Sequence, residues 1–335
     1  MIPRTDPAWQ TSSWQLQLAR AFTRVEDLFD YLELNQALLP AARAAAIQFG
    51  LRVPTAYAAR IERGNPDDPL LRQVLPLAAE LIRTAGFNTD PVADQNSAAA
   101  PGILHKYGGR ALLITTGACG IHCRYCFRRH YPYSEFSIDR KRWNQTVAYL
   151  ERTEQITEVI LSGGDPLTLS DDRLATLVNS LGGIPHLKRL RIHSRLPVLV
   201  PDRITDRLID CIVSSRLQST LVVHINHVRE ISAPLKLTLN QLRREGVTLL
   251  NQSVLLRGVN DSMETLCELS EGLFSSGILP YYLHLLDRVQ GAAHFEVPEA
   301  EAIQLHRRIR ARLPGYLLPR LVRDDPGADS KVQLC

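Results

Sequence analysis

Thr115–Tyr133, TTGACGIHCRYCFRRHYPY, is the stretch on which the reading of this chain turns. Cys119, Cys123 and Cys126 stand in it as CxxxCxxC. Thiolates this close in sequence can wrap one face of a metal centre, and an iron–sulfur cube held by three cysteines keeps its fourth iron open to a ligand. Zinc is an alternative, with His122 or His130 completing a tetrahedron. Zinc sites usually join a tight pair to a distant one, however, and Cys211, Cys267 and Cys335 stand alone. Unconnected buried thiols are a third reading, for which Gly117, Gly120 and the neighbouring arginines make a poor core segment.

Upstream, residues 1 to about 90 read as helical. Thr23 with Glu26 predicts a capping box ahead of VEDLFDYLEL; PAARAAAIQFG starts on Pro40 and stops at Gly50, and PTAYAARIERG repeats that punctuation at Pro54 and Gly64. NPDDP is a turn, and Asp90–Gly102, DPVADQNSAAAPG, has linker composition. A boundary is therefore expected near residue 100, ending an N-terminal helical region.

Downstream of about Leu112, β-rich runs alternate with stretches of helical character: ALLITT, ITEVILS, LKRLRIHS, STLVVHI, VTLLNQSV and PYYLHLL. A spacing of roughly 30 residues predicts repeated βα units with parallel strands. Six units are too few for a full eight-stranded barrel, so the expected fold is α/β, an open partial (β/α)6 TIM-like barrel over 101–300. Such folds carry their chemistry at the C-terminal ends of the strands. Gly117–Cys126 follow the first run, Gly163-Gly164-Asp165-Pro166 the second and Ser194-Arg195 the third. His224 is expected within the fourth, Asn251-Gln252-Ser253 within the fifth, and Asp287 at the end of the sixth. In the C-terminal segment, 301–335, the run DPGADS reads as a loop delivering Lys331, where a lysine is ordinarily solvated.

Composition is that of a soluble globular protein large enough for one big domain or one with a smaller partner: 335 residues, 45% hydrophobic and 22% charged. The N-terminus MIPRTDPAWQ lacks a basic segment followed by an apolar one, and no apolar run reaches membrane-spanning length. A cytoplasmic protein with reduced thiols and no membrane partner is expected. A net charge of +4 does not argue for nucleic acid. The basic runs at Arg128–His130, Lys188–Arg195 and Arg307–Arg312 read first as solvated faces or strand entries.

The residues flanking the cysteines, CRYCFRRHYPY, resemble the lysine 2,3-aminomutase branch of the radical S-adenosylmethionine (SAM) enzymes. GNPDDPLLRQVLP, PGILHKYGGRALLITT, RLRIHSRLPV, VVHINH, LLNQSVLLRGVND and PYYLHLLDRVQGAAHF resemble that family too, in the family's order. The resemblance implies a [4Fe-4S] cluster on Cys119, Cys123 and Cys126, with SAM chelated at the open iron, and pyridoxal phosphate (PLP) held by Lys331. It places Lys106, Tyr107 and Arg110 around PLP, with Lys106 where an arginine is common. Gly163, Gly164 and Asp165 fall beside the SAM methionyl amine, and His224 and Gln252 on the SAM side. Arg128 becomes the clamp for the substrate carboxylate. Asp287 and Asp324 become the acids for a distal ammonium, and paired acids favour lysine over an acidic substrate. The loop before Lys331 departs from the family in carrying Ala328, Asp329 and Ser330, where glycine is commoner.

The implied activity is that of an isomerase, moving the amino group of L-lysine from C2 to C3. The motifs resemble in particular the branch that makes (R)-β-lysine for elongation factor P. That branch implies a functional link to the factor and its lysyl ligase, and a reductant such as flavodoxin or ferredoxin. The short tail after Lys331 supports it and suggests a monomer or small homo-oligomer. The alternatives are an aminomutase of free-lysine or other amino-acid metabolism and, from another class, a non-catalytic iron–sulfur or zinc RNA-binding protein.

Overall fold

The computed structural model describes residues 14–133 and 140–335. Among them, ten strands form one sheet in chain order: β1 (Ala98–Ala100), β2 (Ile103–Tyr107), β3 (Arg110–Thr116), β4 (Glu158–Gly163), β5 (Arg189–Ser194), β6 (Gln218–Val223), β7 (Thr248–Val254), β8 (Leu279–His284), β9 (Arg320–Arg323) and β10 (Val332–Gln333). β3 through β9 pair in parallel, whereas β1, β2 and β10 add antiparallel pairs at the two ends. Helices Arg140–Arg152, Asp171–Gly182, Asp206–Val213, Ala233–Arg244, Met263–Ser275 and Glu299–Arg312 carry the six crossovers that parallel neighbours require. The six βα units are present, and the short β9 extends the parallel run beyond them.

Local sequence sets this period. β4, EVILSG, is buried at every position, as a strand covered on both faces must be. Ser170, Thr205, Ser232 and Ser262 each cap the next helix by accepting from the backbone N–H three residues on. The main hydrophobic core is continuous from Trp14, Phe29 and Tyr57 of the N-terminal helices to Leu161, Ile192 and Leu221 of the sheet.

Several local expectations change. The first capping box is absent: the helix Val25–Leu32 starts after Arg24 with no side-chain cap, and Glu26 pairs with Arg43 instead. PTAYAARIERG yields one turn, Thr55–Ala58, after which the backbone tightens to three-residue bonds, Arg60 N to Tyr57 O and Ile61 N to Ala58 O at 3.1 and 3.0 Å, while the Arg60 side chain reaches the carbonyls of Glu230 and Val198. The linker-like Asp90–Gly102 contributes β1 and buries Asp94. His224 lies one residue past β6 and Asp287 three past β8, where the chain has left the ladder to form loops. DPGADS is the tip of a β9–β10 hairpin rather than an unsupported loop, and pairing of Val332 with Arg323 sets Lys331 beside Asp324.

Two contacts fix the cysteine segment. Glu80, 2% exposed, takes Arg124 Nε and Nη2 at 2.8 and 2.6 Å and Arg129 Nη2 at 2.7 Å. This ties both sides of Cys126 to the N-terminal region. From the other side, Gly164 N and Asp165 N donate to Thr116 O and Ala118 O, each at 2.7 Å. That approach leaves no room for side chains: a β-carbon would sit 2.5 Å from Thr116 O at Gly163 and 2.3 Å from Ala118 O at Gly164. Gly163 also has φ +118°, a conformation glycine alone tolerates well.

Gly164→Ala is therefore expected to destabilise the fold by about 1–3 kcal/mol through overpacking, read as a lower denaturant midpoint at unchanged slope. Glu80→Ala leaves two buried guanidinium groups without their acid and is expected to cost about 3–5 kcal/mol. A midpoint within experimental error of the parent for either variant would contradict the clamp it tests.

Candidate active site

A cavity of about 440 Å³ runs along the inner face of the partial barrel, within the size range of small-molecule sites. The residues given cluster, cofactor and substrate roles in the sequence line it: the three cysteines, Lys106, Tyr107, Arg110, Arg128, Gly163, Gly164, Asp165, His224, Gln252, Asp287, Asp324 and Lys331. They come from positions 106 to 331, and the βα repeat brings them together.

At one end are Cys119, Cys123 and Cys126. Burial and the neighbouring thiolates push Cys119 well up and Cys126 up to about 11. Thiols pushed up in this way become anionic together only when a cation shares them, and coordinated iron does that. A single zinc ion does not fit. Among the described residues no three His, Cys, Asp or Glu side chains converge on one ion position. His122 and His130 each hold one ring nitrogen on a backbone carbonyl, Nδ1 with Gly50 O at 2.8 Å and Nε2 with Gln290 O at 3.2 Å. The donor set suits a multi-iron cluster.

Asp165 is a brace for this end. Buried at 5% exposure, its carboxylate accepts from Leu167 N, Ser194 Oγ, Arg195 N and Leu196 N at 2.7–3.0 Å. It thereby fixes the loop after β4 to the end of β5. Burial pushes its carboxyl up, against these four donors.

At the other end lies a charged group. Lys331 Nζ donates to Asp324 Oδ2 at 2.5 Å, and Tyr107 Oη to Asp324 Oδ1 at 2.9 Å. The second bond spans the gap between β2 and β9, which do not pair. Burial opposes the Asp324 charge, but Lys331, Lys106 and Tyr107 hold its carboxyl below the ordinary range. Asp94 takes Lys106 Nζ at 2.8 Å and Arg128 Nε at 2.7 Å, and both cations keep it ionised despite burial. Arg128 Nη1 reaches Ser162 Oγ at 3.2 Å, and its Nη2 carries no hydrogen bond among the described residues. Arg110 stacks on the Tyr107 ring, its Cζ 4.3 Å from the centroid, and makes no ion pair among the described residues. Asp287 also lacks an ion-pair partner there, and burial raises its carboxyl to about 7 despite Lys331.

Between the two ends, His193, His224 and His284 present buried Nε2 atoms with no hydrogen-bond partner. Burial lowers all three, His224 to about 4, so the imidazoles are neutral at physiological pH. Unpartnered buried nitrogens in a cavity call for a ligand to satisfy them. These nitrogens, the Arg110 guanidinium and the Lys331 amine fit a phosphate-bearing aldehyde cofactor and a nucleoside.

Sequence reasoning missed Asp94, Glu80, His193 and His284. Asp94 lay in a linker-like run and Glu80 in an apparent helix surface; alternation along β5 and β8 was the available signal for the two histidines. The first two basic runs are partly tied down by ion pairs, whereas Arg307, Arg308, Arg310 and Arg312 of the third lie exposed along the last helix. Arg191 pairs with Glu158, Arg195 with Glu230, and Arg128 with Asp94. No helix among the described residues is long and apolar enough to cross a membrane.

Residues 113–269 match the Radical SAM superfamily, whose members carry a [4Fe-4S] cluster and SAM. The L-lysine 2,3-aminomutase of Escherichia coli is 49% identical over 322 residues, covering 96% of this chain and 94% of that protein. The Haemophilus influenzae enzyme of the same name is 44% identical over 99% of this chain and 98% of its own. That of Clostridium subterminale is 33% identical over 98% of this chain and 78% of its own. The chain belongs to the lysine 2,3-aminomutase family of radical SAM enzymes.

Proposed function

We propose that this protein converts L-lysine to β-lysine, using a [4Fe-4S] cluster on Cys119, Cys123 and Cys126, SAM, and PLP held by Lys331. The observation that carries the reading is one cavity lined at one end by three thiols and at the other by a lysine amine between acids. When bound there, the cluster with SAM would supply a carbon radical that takes a hydrogen atom from the substrate β-carbon and returns it to the product, and PLP would supply the π-system across which nitrogen moves from C2 to C3.

The protein's residues position and neutralise. Arg128, steadied through Nε by Asp94, offers its remaining nitrogen to the substrate carboxylate. With its Nζ holding the cofactor, Lys331 would carry no ammonium on Asp324, which would then be open to the distal ammonium of lysine. Asp287 provides the second acid. The neutral imidazoles present hydrogen-bonding atoms without repelling a cationic substrate. Buried walls exclude water from a carbon radical.

We propose further that β-lysine serves modification of elongation factor P through its lysyl ligase in the cytoplasm, and that flavodoxin or ferredoxin delivers the electron. The sequence motifs support this narrower reading.

The test is an anaerobic assay of the reconstituted protein with PLP, SAM, reductant and a panel of free amino acids, followed by chromatography. Conversion of lysine alone is expected; reaction of another amino acid with lysine unchanged would overturn the substrate. Asp324→Asn is expected to cost about 2–5 kcal/mol in kcat/KM for lysine, and unchanged kinetics would contradict its role. Lys331→Ala should remove the visible band of lysine-bound PLP.

Asp287 gives a pH prediction. A carboxyl raised to about 7 is half protonated near neutrality in the free protein, whereas the ammonium requires the anion. As pH falls below about 7, kcat/KM for lysine is expected to fall, approaching tenfold per unit. A parent profile flat through this range would refute the assignment.

A further inference from the structure

Beyond the three ligands, one cation points into the cysteine end of the cavity. Arg195, 5% exposed at the end of β5, donates from Nη1 to Cys123 Sγ at 2.8 Å and to Tyr125 Oη at 2.8 Å. Its Nη2 donates to Gln73 Oε1 and Glu230 Oε2, both at 2.7 Å. Its backbone N–H is taken by Asp165 at 2.8 Å. Glu230 is fully buried and is itself fixed by Asn226 N, His227 N and Gln73 Nε2 at 2.9–3.1 Å. Asn226 Nδ2 donates in turn to Tyr125 Oη and Gln73 Oε1 at 2.8 and 3.1 Å.

This arrangement is an ion pair with a direction. Its positive end touches the sulfur of Cys123 and its negative end lies behind the guanidinium. Burial works against the Arg195 charge, yet Cys123, Tyr125 and Glu230 hold its pKa above the ordinary guanidinium value. Both Nη atoms and the backbone N–H of Arg195 are bonded within the protein, and Nε alone has no partner among the described residues.

We propose that Arg195, backed by Glu230, is a positioning residue that raises the reduction potential of the cluster through a charge-assisted N–H···S bond to Cys123. The inference rests on assigning the cluster to Cys119, Cys123 and Cys126. Reduction adds one electron, from an external donor, to a cluster that already carries net negative charge with its thiolates. A fixed positive pole at one sulfur stabilises the reduced form more than the oxidised one. Hydrogen bonds to sulfur and local charge are the means by which proteins set such potentials.

The experiment is an anaerobic redox titration of the reconstituted holoprotein, following the reduced cluster by electron paramagnetic resonance, with iron content measured on each sample. In Arg195→Gln the ratio of reduced to oxidised cluster at a fixed ambient potential is expected to fall about tenfold, a shift of about 59 mV for a one-electron couple. Glu230→Gln removes the negative end and leaves the guanidinium uncompensated, so the ratio should rise. A merely structural role predicts no such opposition of sign.

Ratios within about twofold of the parent in both variants, or shifts of the same sign, overturn the proposal. Where Arg195→Gln fails to retain iron, Glu230→Gln decides: a higher ratio supports the proposal and an unchanged or lower one overturns it. Loss of the cluster in both variants overturns it in favour of a structural brace. Failure of the parent protein to bind iron at the three cysteines would sink the cluster assignment instead.

Discussion

The site depends on a single buried carboxylate between two guanidinium groups. Residues 117–133 leave β3 without a helix or strand of their own, and local backbone bonds such as Cys126 N to Cys123 O at 3.0 Å make only isolated turns. Glu80 supplies what is missing by bonding Arg124 and Arg129 together. Arg124 Nη1 extends the clamp to the carbonyls of Phe49 and Gly50 at 2.8 and 3.1 Å. Burying three charges is costly unless each hydrogen-bonding atom is met, and here most are. The N-terminal helices are consequently part of the active-site scaffold, whatever their independence as a folding unit.

The same logic governs the rest of the cavity. Its formal charges are numerous, and most cations have an acid: Lys106 and Arg128 share Asp94, Lys331 has Asp324, Arg195 has Glu230. Asp287, Arg110 and Asp165 have no ion-pair partner among the described residues, and of these Asp165 is met by backbone N–H groups and Ser194 instead. An unpaired buried acid shifts its pKa rather than bear the desolvation cost, which explains the raised value at Asp287. Burial likewise keeps the three central histidines neutral. The unsatisfied positions therefore mark where ligands of opposite or complementary character belong.

What was legible in the sequence was local in period. The cysteine spacing, the alternation of β-rich and helical runs, and the glycines and polar residues just after strands all show within a few positions, and these gave the fold and the cavity lining. Pairing across distance was not legible. Asp94 lies 34 residues from Arg128, and Glu80 lies 44 from Arg124; each sits in a run whose local composition describes a linker or a helix surface. β9 is four residues, RLVR, too short to show alternation. Without it the β9–β10 register stays hidden, and with it the adjacency of Lys331 and Asp324. The false capping box at Thr23 failed for the related reason that Glu26 had a better partner, Arg43, outside its own turn.

That adjacency bears on specificity under the proposed function. A lysine side chain already lies in the cavity with its ammonium on Asp324 and Tyr107 closing the other oxygen. The protein's own residue thus shows that this corner accommodates an alkylammonium and satisfies it. Exchange of one ammonium for another leaves the local charge unchanged, so substrate entry need not create a new buried ion. A glutamate side chain in the same place would bring a third carboxylate to Asp324 and Asp287, a like-charge contact at close range in a poorly solvated pocket. An apolar side chain would leave Asp324 without a counter-ion once Lys331 is committed elsewhere. Discrimination for lysine then follows less from the shape of the pocket than from the requirement that a buried acid never be left alone.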